Sequence, residues 1–245
     1  MRKVALVTGG NGQVGRSIVI DLLKRDFKVF CLDISFLSDE VSSEDLSYHK
    51  IDITSENDVN NFFLKEFGET GLVLDVLVNN AGIGTFDPFE NRSKSAFMKV
   101  LEVNLFGTFN MIKNSMKYMV QSKNIANIVN IGSVYGVVSS DPNIYKSLNR
   151  MNSEVYSASK AGVIQMTRYF AVHLSNMKIC VNCVSPGGVF NNHPDDFIKR
   201  YASKTPIGRM AAVEEISSSV MFFCENQNQY LTGQNLVVDG GLTSW

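Results

Sequence analysis

Short apolar runs recur along the chain, each followed by a longer stretch whose apolar positions fall three and four apart. The runs cover residues 4–7, 28–32, 48–51, 73–79, 125–131, 178–184 and 235–238. Rich in β-branched residues and lacking strict alternation, they predict strands buried on both faces. The longer amphipathic stretches predict helices over 13–25, 56–67, 94–121, 153–176 and 213–225. Strand and helix in alternation argue for an α/β protein: a Rossmann-like, doubly wound parallel sheet of about seven strands, with helices on both faces. No repeat, low-complexity tract or Pro/Gly-rich linker interrupts the pattern, so one domain spanning 1–245 is expected. Ligands of such sheets bind beyond the carboxyl ends of the strands.

Composition narrows this picture. A chain of 245 residues that is 44% hydrophobic can bury one sizeable core. Its net charge of −1 offers no broad basic face, so nucleic acid is not an expected partner. The apolar stretch at the N-terminus is too short for the core of a signal peptide, and no apolar run reaches membrane-spanning length. A cytoplasmic, soluble protein with no membrane partner is expected. Cys180 and Cys183 have the spacing of a redox or zinc pair, but a strand would turn them to opposite faces, and no second Cys/His pair completes a site. With Cys31 and Cys224 they read as buried thiols in a reducing compartment. His49, His173 and His193 have no ligand spacing, and no metal is implied.

Directly after the first strand comes Thr8-Gly9-Gly10-Asn11-Gly12-Gln13-Val14-Gly15. Gly10, Gly12 and Gly15 have G-x-G-x-x-G spacing between a predicted strand and a predicted helix. That context brings backbone close to a pyrophosphate and aims unpaired N–H groups at it. Asp33, 18 residues past Gly15, ends the second strand, where a carboxylate accepts hydrogen bonds from adenosine ribose hydroxyls and repels a 2′-phosphate. Ile34, Ser35 and Phe36 follow, with no base to hold that phosphate, which favours NAD over NADP. Asp52 follows the third strand and Asn79-Asn80-Ala81-Gly82 ends the fourth; a helix cap and a sheet-edge hydrogen bonder are the plainer readings of Asp52 and Asn79.

Tyr156 and Lys160 lie four apart on one predicted helix face. A phenol is a poor base at neutral pH, but a neighbouring ammonium stabilises phenolate and makes a general acid/base suited to an alcohol proton. On an arbitrary helix the same pair is merely a solvated face. Ser133, at the end of the fifth strand, can hydrogen-bond the reacting oxygen or simply cap the next turn. Asn104 is a polar interruption in an apolar helix and demands buried partners.

Taken together, these residues resemble the short-chain dehydrogenase/reductase family, in its compact single-domain branch. The resemblance covers nearly the whole chain and includes Asn182, Pro186-Gly187-Gly188, Thr232-Gly233-Gln234 and Val238-Asp239-Gly240-Gly241. It implies an NAD(P)-dependent oxidoreductase of CH–OH groups, moving hydride between nicotinamide and a secondary alcohol or ketone. Tyr156 is then the acid/base, and Lys160 tunes it and holds the nicotinamide ribose. Ser133 polarises the substrate oxygen, and Asn104 supports a water-mediated proton path through Lys160. Gly9, Gly12, Gln13, Val14 and Gly15 meet the pyrophosphate side, and Asp33, Asp52 and Ile53 the adenosine side. Asn79, Ala81 and Gly82 approach the cofactor from the fourth strand, while Pro186, Gly187 and Val189 begin a lid over the nicotinamide. A homodimer or homotetramer is implied, joined through the last helices and C-terminal strand.

Three features depart from the branch. Gln13 stands at a usual glycine position, a register similar to that of the extended epimerases and dehydratases. The stretch Phe190-Asn191-Asn192 replaces the usual threonine, leaving an amide or another group to hold the carboxamide. The interval from Ser133 to Tyr156 is long, and its residues 141–150 are expected to shape the substrate pocket. More loosely, this loop is similar to that of bacterial members linked to surface-carbohydrate or flagellin-glycan pathways, which suggests a sugar-derived substrate and carbohydrate metabolism. Lys146 and Arg150 then face a phosphate or carboxylate, or else solvent. The alternatives are a non-catalytic dinucleotide-binding protein and an epimerase or dehydratase with retained NAD.

Overall fold

The structure, a computed structural model, describes residues 2–35, 41–122, 124–146, 151–225 and 229–245. Phe36 and Arg150 lie outside the described residues. Seven parallel strands form one sheet: β1 (Val4–Thr8), β2 (Lys28–Asp33), β3 (Leu46–Lys50), β4 (Val76–Asn79), β5 (Ala126–Ile131), β6 (Ile179–Pro186) and β7 (Asn235–Val238). Their order is β3-β2-β1-β4-β5-β6-β7. All seven expected strands are present, with ends shifted by a few residues. The predicted start of β4 is shortened because the chain before it serves as a joint: Asp75 Oδ2 accepts the Val4 N–H at 2.9 Å.

Every residue of β1 is buried, and alternate side chains enter different cores. Ala5 and Val7 pack with Ile18 and Leu22 of α1 (Gln13–Leu23) and Val220 of α7 (Val213–Cys224). Leu6 packs with Phe63 of α2 (Glu56–Phe63) and with Met111 and Ile112 of α4 (Thr108–Met119). Ser55 starts α2 by accepting the Asp58 N–H, Ser93 does the same for α3 (Lys94–Leu101), and Ser153 for α5 (Glu154–Leu174).

Three features were not legible in the sequence. The helix expected over 56–67 ends at Phe63 and continues as a π-helical segment, Leu64–Gly68. The stretch expected to form one helix over 94–121 contains a π-helical segment, Glu102–Gly107, between α3 and α4. The expected lid contains a helix, α6 (Asp195–Lys204), which buries Phe197 and Tyr201. Among the described residues, no helix is long and apolar enough to cross a membrane, and no group of three or more His, Cys, Asp or Glu is placed to hold a metal ion.

The strand order reverses about β1 and β4. Their carboxyl ends open a crevice flanked by the ends of β2, β5 and β6, with Thr8 beside Asn79 and Ile131 beside Val184 in register.

Candidate active site

The glycine loop crosses one end of this crevice. Gly9 has φ +61°, a left-handed conformation that favours glycine. Gly15 lets α1 meet the loop, since a Cβ there would lie 2.1 Å from Gly9 O. No side chain caps the N-terminus of α1 at Gly12, and the Asp33 carboxylate stands at the outer end, accepting the Asn11 N–H at 3.1 Å and the Ser35 N–H at 3.3 Å. These residues fit a dinucleotide: an anion-receptive helix end at the centre and a carboxylate where ribose hydroxyls would lie.

Thr8 and Asn80 fasten this loop to β4, and neither was assigned a role from sequence. Thr8 Oγ1 accepts the N–H groups of Asn80 and Ala81, both at 3.1 Å. Asn80 Nδ2 donates to Thr8 O at 3.0 Å and Gly9 O at 2.8 Å. Asn79 instead reaches inward, donating to Asn130 Oδ1 at 2.9 Å, and its own Oδ1 is buried with no hydrogen-bond partner among the described residues.

On the other side, α5 presents Tyr156 and Lys160 one turn apart. Lys160 is only 5% exposed; its Nζ donates to Ile131 O at 2.7 Å and lies 5.8 Å from the centre of the Tyr156 ring. Ser133, at the end of β5, is buried, and its Oγ accepts the Tyr135 N–H at 3.2 Å. Asn104 sits in the π-helical segment, a distortion frequent at functional sites. Its Oδ1 accepts the Ile83 N–H at 2.8 Å, and both Nδ2 hydrogens are committed, to Ile83 O and Ser159 Oγ, each at 2.9 Å. Asn104 thereby fixes the turn at Gly82 and Ile83 beside Lys160.

These elements enclose a cleft of about 410 Å³. Ser133, Tyr156 and Lys160 line it together, and so do Val14, Gly82, Pro186, Gly187 and Val189. Gly9 and Gly12 belong to the adjoining loop, and Gln13 and Gly15 to the first turn of α1. The outlying site residues behave differently. Asp52 Oδ1 accepts the N–H and hydroxyl of Thr54, at 2.9 and 2.7 Å. Burial works against that carboxylate, but these hydrogen bonds, aided by Lys99, hold its pKa below the ordinary value. Ile53 is buried, with its carbonyl accepting from Asn110 Nδ2 at 2.9 Å. Asn191 and Asn192 are exposed and do not line the cleft; Val189 does. Gln13 reaches across the crevice and donates to Phe190 O.

The long interval before Tyr156 contributes Tyr145, at the end of a 3₁₀ turn (Pro142–Tyr145). Tyr145 and Ile144 are buried against Phe197, Tyr201 and Met210, so the interval and α6 form one wall. His193 lines the cleft, stacked on Phe197 at 5.0 Å between ring centres. Lys146 is exposed and does not line it. All four cysteines are free and buried, Cys180 and Cys183 among them.

A sequence model of the family described as enoyl-(acyl carrier protein) reductase matches residues 13–243. A 3-oxoacyl-(acyl-carrier-protein) reductase of Thermotoga maritima is 33% identical over 252 residues, covering 98% of this chain and 97% of its own. Among solved structures, a short-chain dehydrogenase from Leptospira borgpetersenii with bound NAD+ has a TM-score of 0.93 at 38% identity, over 99% of this chain and 93% of that one. The aldohexose dehydrogenase of Thermoplasma acidophilum, in ligand-free form, has a TM-score of 0.87 at 27% identity, over 100% of this chain and 95% of that one.

Proposed function

The chain belongs to the short-chain dehydrogenase/reductase family, and on that footing we propose that it interconverts a secondary alcohol and a ketone with NAD, using Tyr156 for proton transfer. The observation that carries the reading is the buried Lys160 ammonium beneath the Tyr156 ring, in one cleft with Ser133. A bound nicotinamide would supply the hydride acceptor for the alcohol carbon, or the hydride donor for the ketone. Tyr156 takes the hydroxyl proton as that hydride leaves, and gives it back in the reverse direction. Lys160 sets positive charge beside the phenol, favouring negative charge on its oxygen during transfer. Ser133 hydrogen-bonds the same substrate oxygen. Asn104 is a positioning residue in this scheme, because its amide is committed to Ile83 and Ser159.

The glycine loop would carry the pyrophosphate, and Gly82, Pro186, Gly187 and Val189 the nicotinamide end. Asn79 and Ala81 support that end from β4, and Asp52 and Ile53 lie toward the adenine. Asp33 supports NAD over NADP, because a carboxylate repels a 2′-phosphate and neither Ile34 nor Ser35 is a base. A polar, sugar-derived substrate is supported by the hydroxyl-bearing walls of the cleft and by the likeness to an aldohexose dehydrogenase. Buried free thiols support a reducing, cytoplasmic setting.

A homo-oligomer, dimer or tetramer, is supported by two exposed apolar areas. One joins Phe106, Phe109 and Tyr169 through ring contacts that include Phe170; the other is the exposed Phe222 of α7 and Leu236 of β7, in the last helix and strand where contacts are expected. The test of function is NADH formation when the purified protein and NAD meet a panel of neutral aldoses, polyols and cyclic alcohols. Steady NADH formation is expected, with NADP a much poorer acceptor. Product formed with no net NADH contradicts the reading.

A further inference from the structure

The crevice that leads to the proton-transfer site has two facing walls, and one side chain joins them. The first turn of α1 forms one wall, and the segment at the end of β6 forms the other. Val14 from the first wall and Pro186, Gly187, Gly188 and Val189 from the second line the cleft. Gln13 leaves α1 beside Val14, and its Nε2 donates to Phe190 O, immediately past Val189. The two partners lie 177 residues apart in the chain. A glycine at position 13, usual in this branch, has no side chain to make such a bridge.

Both ends of the bridge stand on the same base. Ser17 Oγ donates to Ser217 Oγ at 2.9 Å, and Ser217 Oγ to Asp21 Oδ2 at 2.6 Å, which fastens α1 to α7. On the other wall the Phe190 N–H donates to Ala211 O and the Ala211 N–H to Gly188 O, each at 2.9 Å. Ala211 stands two residues before the start of α7. The Phe190 carbonyl is thereby held facing α1, and the part left to move is the Gln13 side chain. Gln13 and Phe190 are both exposed, so their bond competes with water and carries the modest net strength of such a bond. An exposed side chain changes rotamer in picoseconds to nanoseconds, far faster than a ligand binds or leaves. The bridge therefore acts as a rapid equilibrium between closed and open, and traffic through the crevice scales with the open fraction.

We propose that the Gln13–Phe190 bond is a latch across the cofactor crevice, which slows the entry and the exit of a dinucleotide alike and leaves its affinity almost unchanged. This rests on the dinucleotide reading given above, with the pyrophosphate on the N-terminus of α1. A dinucleotide reaching from Asp33 into the cleft must pass beneath the bridge in either direction. A bond between two protein groups that is equally strong with and without cofactor cancels from the binding equilibrium and remains in both barriers. The test is stopped-flow NADH fluorescence with the wild type, Gln13→Met and Gln13→Asn. Methionine keeps the length and cannot donate, and asparagine keeps the amide but is one methylene short. In both variants the association and dissociation rate constants are each expected to rise about 2–10-fold, the weight of one exposed hydrogen bond, with Kd within about 2-fold of the wild type. Unchanged rates in both variants overturn the proposal. So does faster dissociation alone with weaker binding, the signature of a direct contact between Gln13 and the cofactor. NADH binding needs no turnover, so either result leaves the redox reading standing. Both rates raised in a protein that oxidises no alcohol keeps the latch and condemns the redox reading alone.

Discussion

On the proposed function, Lys160 concentrates the chemistry in one side chain. An ammonium this deeply buried is costly unless hydrogen-bonded, and the Ile131 carbonyl at 2.7 Å offsets part of that cost. Lys160→Ala is expected to lower kcat/KM by about 10²–10⁴-fold, the span of a disabled acid/base, measured as NADH formation at saturating NAD. Asp33→Ala is expected to lose charge-assisted hydrogen bonds to ribose worth about 1.5–3 kcal/mol, weakening NAD binding while NADP binding improves. Paired titrations with the two cofactors check this. His49 provides a pH signature of a different kind. Its ring packs on Phe62, Nε2 is buried with no partner among the described residues, and burial holds its pKa below the ordinary value despite Glu66. As pH falls, the unfolded chain takes up the proton first, so stability is full above about 6.5 and declines below it. Denaturant midpoints at about pH 7.5 and about 5.5 should differ in the wild type, and His49→Phe should reduce the difference. Tyr156, Ser133 and Asp33 could be singled out in the sequence because each lies at or next to the end of a periodic element, and Lys160 because it shares the helix face of Tyr156. Tyr145 could not, because its place in the wall depends on how an irregular interval folds back.

Among the elements, hydrophobic pattern located β1, β2, β4, β5 and β6 as buried apolar runs, while the edge strands β3 and β7, only partly buried, were placed by shorter apolar stretches in the strand–helix alternation. The helix α6 escaped because its apolar face is just Phe197, Ile198 and Tyr201 amid charged residues, a pattern equally compatible with a loop. The π-helical segments escaped because apolar spacing does not distinguish one extra residue in a turn. The glycine loop was legible in outline, and its geometry makes a sharp prediction. Gly15→Ala would place a methyl 2.1 Å from Gly9 O, so the loop or α1 must shift. NAD affinity is expected to fall by about 10-fold or more, at least 1.4 kcal/mol, when measured by calorimetry. In α2, Phe63 is fully buried and stacks on Tyr118 at 5.8 Å. Phe63→Ala is expected to cost about 3–5 kcal/mol of stability, read from denaturant unfolding.

Across the whole molecule, the sheet gathers residues far apart in sequence at one end: Thr8 from β1, Asp33 from β2, Asn80 after β4, Ser133 after β5 and Pro186 from β6. Parallel order makes this unavoidable, because every strand's carboxyl end points the same way. The opposite wall comes from α5 and from the interval packed on α6, so cofactor and substrate sides are built by different parts of the chain. On the proposed function, the Tyr156 phenol exchanges a proton with an alcohol oxygen beside the nicotinamide. The most direct test of this claim is the kcat of Tyr156→Phe on an alcohol that the wild type oxidises, with NAD affinity measured in both proteins. A fall of about 10²–10⁴-fold or more, with NAD bound as tightly as before, is expected. Turnover by Tyr156→Phe at the wild-type rate contradicts the claim.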